Sequence, residues 1–411
     1  MAAILLSIVL FCEFAYCFVV FTNIKPIKEL REKFIATAME TMSHQWLATA
    51  FFPEYMVDNI VQRQQLAIYE SANHVSDRSD RVTTPTATEN GGEPTPIEPT
   101  PTVTENEDPT RTDEERFYEL FWELNRISFE DYVAEHPDVL ANGWDNIYIN
   151  EAGLNDGGTS IYTSMGEQVL AIDSKNKLLV VRVQGTGYLG VLAIGKDPSQ
   201  LRCEVSEGIG SYGQPISELV ADNNGLIGMT ASGFIDVDSQ GNLGNGNGGI
   251  LAGYTMCEGT EYGTHYTLYG YKRIELTRDN KMYVVNSSEA VTDDVTDAAE
   301  FAPALVVDGE LYTADFEGYN GINPRACIGQ SKRGEILMLV IEGRLVGRSI
   351  GTDVETCANI LMHHEAYNAL NLDGGTSAIM WYDGEYITKC SNEKIISRPL
   401  PNAWVYGTYE E

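Results

Sequence analysis

The chain has 411 residues and a net charge of −33, from 27 Lys and Arg against 60 Asp and Glu. That length supplies ample core for one large or two ordinary domains. So acidic a body repels nucleic acid and anionic surfaces, so no nucleic-acid partner is expected, and a site for an anionic substrate must be a local exception built from a few arginines and backbone amides. The charge is uneven. Residues 1–82 hold 7 Lys and Arg against 9 Asp and Glu, a net of −2, which leaves −31 in 83–411.

Residues 2–22 are almost continuously apolar and match the length of a membrane-spanning helix, so 1–22 is expected to be a transmembrane signal anchor. Lys25, Lys28, Arg31 and Lys33 follow it, an order that by the positive-inside tendency favours a cytoplasmic body. Within the helical juxtamembrane region 23–82, Phe34, Ala38, Met42, Trp46, Ile60 and Leu66 suggest an amphipathic pattern over 30–72. Residues 83–112 are rich in Pro, Thr and Glu and cannot bury a core, which predicts a disordered linker. A stalk of this kind holds a domain away from a membrane. It outweighs the flanking charges, so the expectation is a single-pass membrane protein with its main domain outside the cell.

A lead-in of helices is predicted over 113–149. The first runs Asp113–Arg126 with Phe117, Leu120, Phe121 and Leu124 on one face, and Ser128 caps a second that runs to Glu135. From there the chain becomes β-rich. Strands are predicted at Gln168–Ile172, Lys177–Val183, Tyr188–Ile194, Lys281–Val285, Ala304–Val307 and Glu335–Ile341, with a helix at Val354–His364. The fold class is therefore α+β, a mixed β-sheet core with flanking helices, over 150–411. Of the seven cysteines, five are scattered through this domain without metal-ligand spacing and read as buried thiols.

Three segments carry chemistry. In Asp373-Gly374-Gly375-Thr376-Ser377 a carboxylate precedes two glycines and two hydroxyls at the end of an apolar strand, a pattern for an anion-binding turn of backbone amides. The segment Arg325–Arg344 reads as a hairpin turning at Lys332-Arg333-Gly334, which brings Arg325 and Arg344 to the same end as a candidate phosphate clamp. The third runs from Thr230 and Ser232 through Asp236 and Asp238 into a Gly/Asn-rich stretch. Its Asp-x-Asp faintly suggests calcium but lacks the spacing and the terminal Glu, so a long loop over a site is the better reading.

Together these segments resemble the phosphodiester glycosidase family over roughly residues 150–409. The strongest match is Tyr367-Asn368-Ala369-Leu370-Asn371-Leu372-Asp373-Gly374-Gly375-Thr376-Ser377. Arg325-Ala326-Cys327-Ile328-Gly329, Ile341-Glu342-Gly343-Arg344, Pro303–Gly309 and Arg398–Ala403 follow the family's order. Thr376 replaces a third glycine, Glu342 stands where Asp is usual, and Thr230 lies where the family has Asn. Residues 38–48 look like membrane-anchored bacterial members.

The resemblance implies hydrolysis of a sugar-1-phosphodiester, GlcNAc-like, in cell-envelope or exopolysaccharide material, with a phosphodiester-linked glycan as partner. It assigns Asp373 as catalytic carboxylate or ligand organiser, Glu342 as second catalytic carboxylate, and Arg325 and Arg344 as phosphate clamps. Gly374, Gly375, Thr376 and Ser377 become the anion-binding turn, and Thr230 and Ser232 substrate contacts. No cofactor is required, and a divalent metal is left open. The alternative is a catalytically inactive wall-polysaccharide-binding module or an envelope scaffold.

Overall fold

The computed structural model describes residues 2–41, 44–70, 75–79, 111–155, 157–264, 271–312 and 318–407. Of the linker predicted at 83–112, only Arg111 and Thr112 fall among them, and Met42 does not.

Four helices come first: α1 (Ala2–Phe21), α2 (Lys25–Glu40), α3 (Gln45–Phe51) and α4 (Glu54–Glu70). Arg31 fixes the bend between α1 and α2, because its Nη1 donates to the carbonyls of Val19, Val20 and Thr22 at 2.7–3.0 Å, satisfying acceptors at the end of α1. Among the described residues no single helix is long and apolar enough to cross a membrane. A bent pair, Leu6–Phe21 with Lys25–Glu40 at 87°, meets that measure together.

The amphipathic stripe expected through 30–72 is not one stripe. The chain breaks after Glu40 and again at Phe52-Pro53, where proline cannot continue a helix. Each break resets the phase. Ile35, Ala36, Ala38, Ala48, Val57 and Ile60 form the core of this layer, while Phe34, Trp46 and Leu66 stay exposed.

Next come α5 (Asp113–Leu120) and α6 (Arg126–Glu135). Thr112 and Glu115 form a reciprocal capping box on α5. The cap of α6 is Asn125, whose side chain accepts from Ser128 N, so Ser128 is the third residue of the helix rather than its cap. Two further helices, α7 (Ile216–Ala221) and α8 (Val354–His363), lie within the β-rich body.

The body has a nine-stranded sheet. Its spatial order is Tyr148–Asn150, Gln168–Asp173, Leu178–Gly185, Tyr188–Gly195, Ile336–Ile341, Arg325–Ser331, Ala366–Asn371, Ala304–Val307 and Glu310–Leu311. Two five-stranded sheets accompany it, one including Lys272–Thr277 and Val295–Phe301, the other Ile227–Thr230, Met380–Tyr382 and Asn402–Tyr406. Every described pairing between these strands is antiparallel, so the α+β class holds while the expected mixed sheet does not.

The large sheet is buried on both faces. Along Ile336–Ile341, Ile336, Met338 and Val340 enter one apolar cluster while Leu337, Leu339 and Ile341 enter the other, with α5, α6 and α8 covering the second. That is why this strand reads as an unbroken apolar run rather than an alternating one.

Candidate active site

The strand Ala366–Asn371 runs between Arg325–Ser331 and Ala304–Val307 and leaves the sheet at Leu372. Leu372 N still donates to Ala326 O at 2.7 Å, and Asp373 N reaches Ala231 O at 3.3 Å. The two glycines that follow are required for different reasons. A Cβ on Gly374 would lie 2.7 Å from the Pro324 carbonyl oxygen. Gly375 has φ +60° and sits under the Arg344 guanidinium, 3.4 Å from where a Cβ would be.

The turn closes as a short 3-10 helix, Gly375–Ser377. Some of the amides here are used inside the fold: Gly375 N donates to Pro324 O, Ser377 N to Gly374 O and Ala378 N to Gly375 O. Of the expected nest of free amides, Gly375 and Ser377 are thus consumed, while Gly374 N and Thr376 N make no backbone hydrogen bond among the described residues. Further donors for an anion come from cationic side chains, Arg325, Arg344, Lys394 and Arg398, which face four carboxylates, Glu40, Asp236, Asp373 and Glu393.

Those side chains line a cleft of ≈ 870 Å³, whose walls include Glu40, Asp236, Arg325, Arg344, Asp373 and Arg398. Arg325 opens one strand of the predicted hairpin, opposite Ile341, and Arg344 follows the end of the other, so both do reach the same end. Arg325 is buried. Its Nε donates to Thr352 O at 3.2 Å, and its Nη2 to Glu40 Oε2, Tyr319 O and Gly321 O at 2.9, 3.2 and 2.6 Å. Arg344 Nη2 donates to Thr41 Oγ1 at 3.2 Å and Asn323 Oδ1 at 2.9 Å. Burial and then the neighbouring Arg325 charge depress the Arg344 pKa, and Glu40 opposes them.

Asp373 is partly exposed on the cleft. Burial pushes its pKa up to about 6, against the Ser377 hydroxyl and the Arg398 charge, which lower it, while Asp236 adds to the rise. Arg398 holds Asp236 in a fork, Nη1 to Oδ2 at 2.9 Å and Nη2 to Oδ1 at 2.6 Å. The arrangement is suited to holding an anion beside a carboxyl group that changes charge near pH 6.

Residues 224–406, which carry all of this site except its α2 wall, match the sequence profile described as Phosphodiester glycosidase. This segment belongs to the phosphodiester glycosidase family. The matched segment is shorter than the 150–409 read from the motifs. It resembles the bovine (Bos taurus) N-acetylglucosamine-1-phosphodiester alpha-N-acetylglucosaminidase at 26% identity over 188 residues, 42% of this chain and 32% of that protein. The chain thus aligns with about a third of the relative's length. Among solved structures it is similar to the catalytic domain of the zebrafish protein of the same name, with TM-score 0.44, 14% identity and coverage of 66% of this chain and 91% of that one. A Synechocystis protein gives TM-score 0.39 and 12% identity, with 58% and 63% covered.

Within this phosphodiester glycosidase segment the remaining expected site residues part company. Gly374, Gly375 and Thr376 line the cleft, and Ser377 is buried behind them. The expected second carboxylate is not at the cleft. Glu342 is buried and bound to the Arg348 guanidinium and to Lys389 N, the latter at 2.7 Å. Thr230 and Ser232 are also fully buried and do not line the cleft. Ser232 belongs to an internal network, donating N–H to Asn402 Oδ1 at 3.0 Å and sharing a hydroxyl contact with Thr255 at 2.8 Å.

Four residues without an assigned role from sequence do belong to the site. Asp236 and Arg398 form its ion pair, and Glu40 and Thr41 reach it from α2 and its end. Asp236 also accepts from Gly246 N at 2.7 Å, so it pins the Gly/Asn-rich loop beside the cleft. Asp238 turns inward on that loop, bound by Gln240 N and by Asn242. Among the described residues no group of three or more His, Cys, Asp or Glu side chains is arranged to hold a metal.

Proposed function

We propose that this chain hydrolyses a sugar-1-phosphodiester, GlcNAc-like, releasing free sugar and a phosphomonoester. The observation that carries the reading is the placement of Asp373, with its pKa near 6, in one cleft with Arg325, Arg344 and Arg398. A phosphodiester brings one negative charge, which guanidinium donors meet well. Arg344 is the main holder, because its Nε and Nη1 donate to no described residue.

Cleavage breaks the bond from the sugar C1 to the phosphate oxygen. Water supplies hydroxyl to C1 and a proton to the medium or the departing phosphate. Because phosphate leaves readily, the carboxyl group is not needed as a proton donor. Asp373 works ionised, stabilising positive charge that develops at C1 or attacking it directly. The name of the bovine relative supports the substrate class, and the family match over 224–406 supports the reaction. The substrate sits in cell-envelope or exopolysaccharide material of a bacterium, and the apolar α1 holds the chain at the cell membrane with the cleft outside.

A second reading rests on Glu342. With that carboxylate locked behind the cleft, the protein would bind a phosphodiester-linked polymer without turning it over. Incubating the full-length chain with GlcNAc-1-phosphodiesters, with and without chelator, and measuring free sugar separates the two. Release that falls at least about a hundredfold in Asp373→Asn supports hydrolysis. Undiminished release by Asp373→Asn removes Asp373 from the chemistry, and binding without release favours the binding module.

A further inference from the structure

The family match begins at residue 224, yet the cleft wall includes Glu40 and Thr41, far upstream. Glu40 ends α2 and is bound to the segment that leads into the Arg325 strand. Its Oε1 accepts from Gly321 N at 2.6 Å and from Gln64 Nε2 at 3.3 Å, and its Oε2 from Asn323 Nδ2 at 3.0 Å and Arg325 Nη2 at 2.9 Å. All four partners are donors, so the position suits a carboxylate and no neutral isostere: an amide nitrogen there would face another donor. One residue later, Thr41 Oγ1 accepts from Arg344 Nη2. Thr37 Oγ1 adds a third tie, accepting from Ile322 N at 2.8 Å.

Arg325 and Arg344 are close enough that Arg325 disfavours the charge on Arg344, while Glu40 favours it. Two like charges held side by side need a compensating anion when no ligand is present. Glu40 supplies it from the wall without filling the cleft, which remains open at ≈ 870 Å³ with Glu40 in place.

We propose that Glu40 and Thr41 are positioning residues that hold Arg325 and Arg344 together as a single anion-binding site, so that α2 is a working part of the site and not only a connection to the membrane-proximal end. The inference rests on the proposed reading of the arginine pair as the phosphate holder. Glu40 sets Arg325 through one guanidinium nitrogen, leaving Nη1 without a described partner, and Thr41 sets Arg344 in the same way. A domain cut at residue 113 lacks both, leaving Arg325 only its bonds to the Thr352, Tyr319 and Gly321 carbonyls and Arg344 only its bond to Asn323, with no Glu40 anion to offset the two charges.

The test is the affinity of the full-length chain, kept in detergent, for inorganic phosphate, measured by calorimetry beside thermal melting of each variant. Wild type binds phosphate and Arg344→Ala does not. Glu40→Gln weakens binding about tenfold, and Thr41→Val, which leaves the carboxylate in place, weakens it about threefold. In an Arg325→Lys background Glu40→Gln adds little, a non-additivity that general loss of stability would not produce. If wild type fails to bind phosphate, the reading of the arginine pair fails and this inference with it. If wild type binds and Arg344→Ala abolishes binding while Glu40→Gln and Thr41→Val bind as wild type, only the positioning role is overturned. Tighter binding by Glu40→Gln also overturns it, because Glu40 would then be a competitor of the anion.

Discussion

Arg398 grips Asp236 through two hydrogen bonds of 2.9 and 2.6 Å in the cleft that also holds Asp373, so the catalytic candidate has a cation and an anion as neighbours that partly cancel. Burial lifts Asp373 to about 6, Arg398 opposes the rise and Asp236 adds to it. An ionised Asp373 therefore gives kcat/KM that rises with pH, reaches half its maximum near pH 6 and then levels. Asp236→Asn removes an anion and frees Arg398, which moves the midpoint down, whereas Arg398→Ala moves it up. The stability sign follows from the same shift. The folded protein holds this proton more tightly than the unfolded chain, so the contribution of Asp373 to stability falls as pH rises from about 4 to about 6. Asp373→Asn melts above wild type at neutral pH, and the gap closes towards about pH 4. A flat pH–rate profile in all three proteins would count against an ionising Asp373.

The two glycines after Asp373 separate a conformational constraint from a steric one. Gly375→Ala places a left-handed alanine beneath Arg344, 3.4 Å from its Nη1, at a conformational cost of about 1 kcal/mol. The guanidinium stays in ordinary van der Waals contact, so the cost is that of the left-handed backbone and KM changes by no more than a few-fold. Gly374→Ala drives its Cβ to 2.7 Å from the Pro324 carbonyl, which belongs to the backbone leading into the Arg325 strand and cannot swing aside. It costs more stability than Gly375→Ala in urea denaturation. The reverse order would show that the turn does not depend on that close approach.

The parts of this site legible in sequence are local. The Ile336–Ile341 run is apolar at every position because both faces of the sheet are covered, and the Lys-Arg-Gly turn fixes which ends meet, so Arg325 and Arg344 could be paired without coordinates. Asp373 was legible from its glycines. The rest depends on long-range packing that no local period encodes. Glu40 meets Arg325 across 285 residues, and Asp236 meets Arg398 across 162. Glu342 illustrates the converse: a carboxylate near the arginines in sequence is drawn to Arg348 and Lys389 N, behind the cleft. The helical layer was read in outline but not in phase, because Pro53 and the break after Glu40 reset which residues face inward.

Glu342 is accordingly expected to act on stability. It pairs with Arg348, accepts from Lys389 N, and its carbonyl accepts from Ser349 Oγ at 2.6 Å, so it ties the 342–349 turn to the 389 segment. Removing one partner of a buried pair leaves the other uncompensated, at a cost of about 3–5 kcal/mol. Glu342→Gln lies at the lower end, since its amide can still accept from Lys389 N, and a double-mutant cycle with Arg348→Met recovers part of the loss. The effect is read by chemical denaturation. A pH–rate midpoint that moves in Glu342→Gln while stability stays at the wild-type value would return Glu342 to the chemistry.

The same logic applies, with a pH signature, far from the cleft. Lys196 is buried against Glu123 and Glu335, with Nζ 2.7 Å from Glu335 Oε1. Burial raises the Glu123 pKa despite Lys196. Burial also works to raise Glu335, but Lys196, Trp122 Nε1–H and the Ser331 hydroxyl outweigh it and hold that carboxyl below its usual value. Lys196→Met removes the only charge of opposite sign that binds both carboxylates among their described contacts. In wild type the lowered Glu335 adds stability that is present above the ordinary carboxylate range and lost as pH falls through its folded pKa. In the variant both carboxyl groups prefer to be protonated, so its deficit is about 3–5 kcal/mol at neutral pH and shrinks as pH falls towards about 4. Urea denaturation at the two pH values measures this directly. A deficit that is the same at both would mean that Lys196 contributes packing alone.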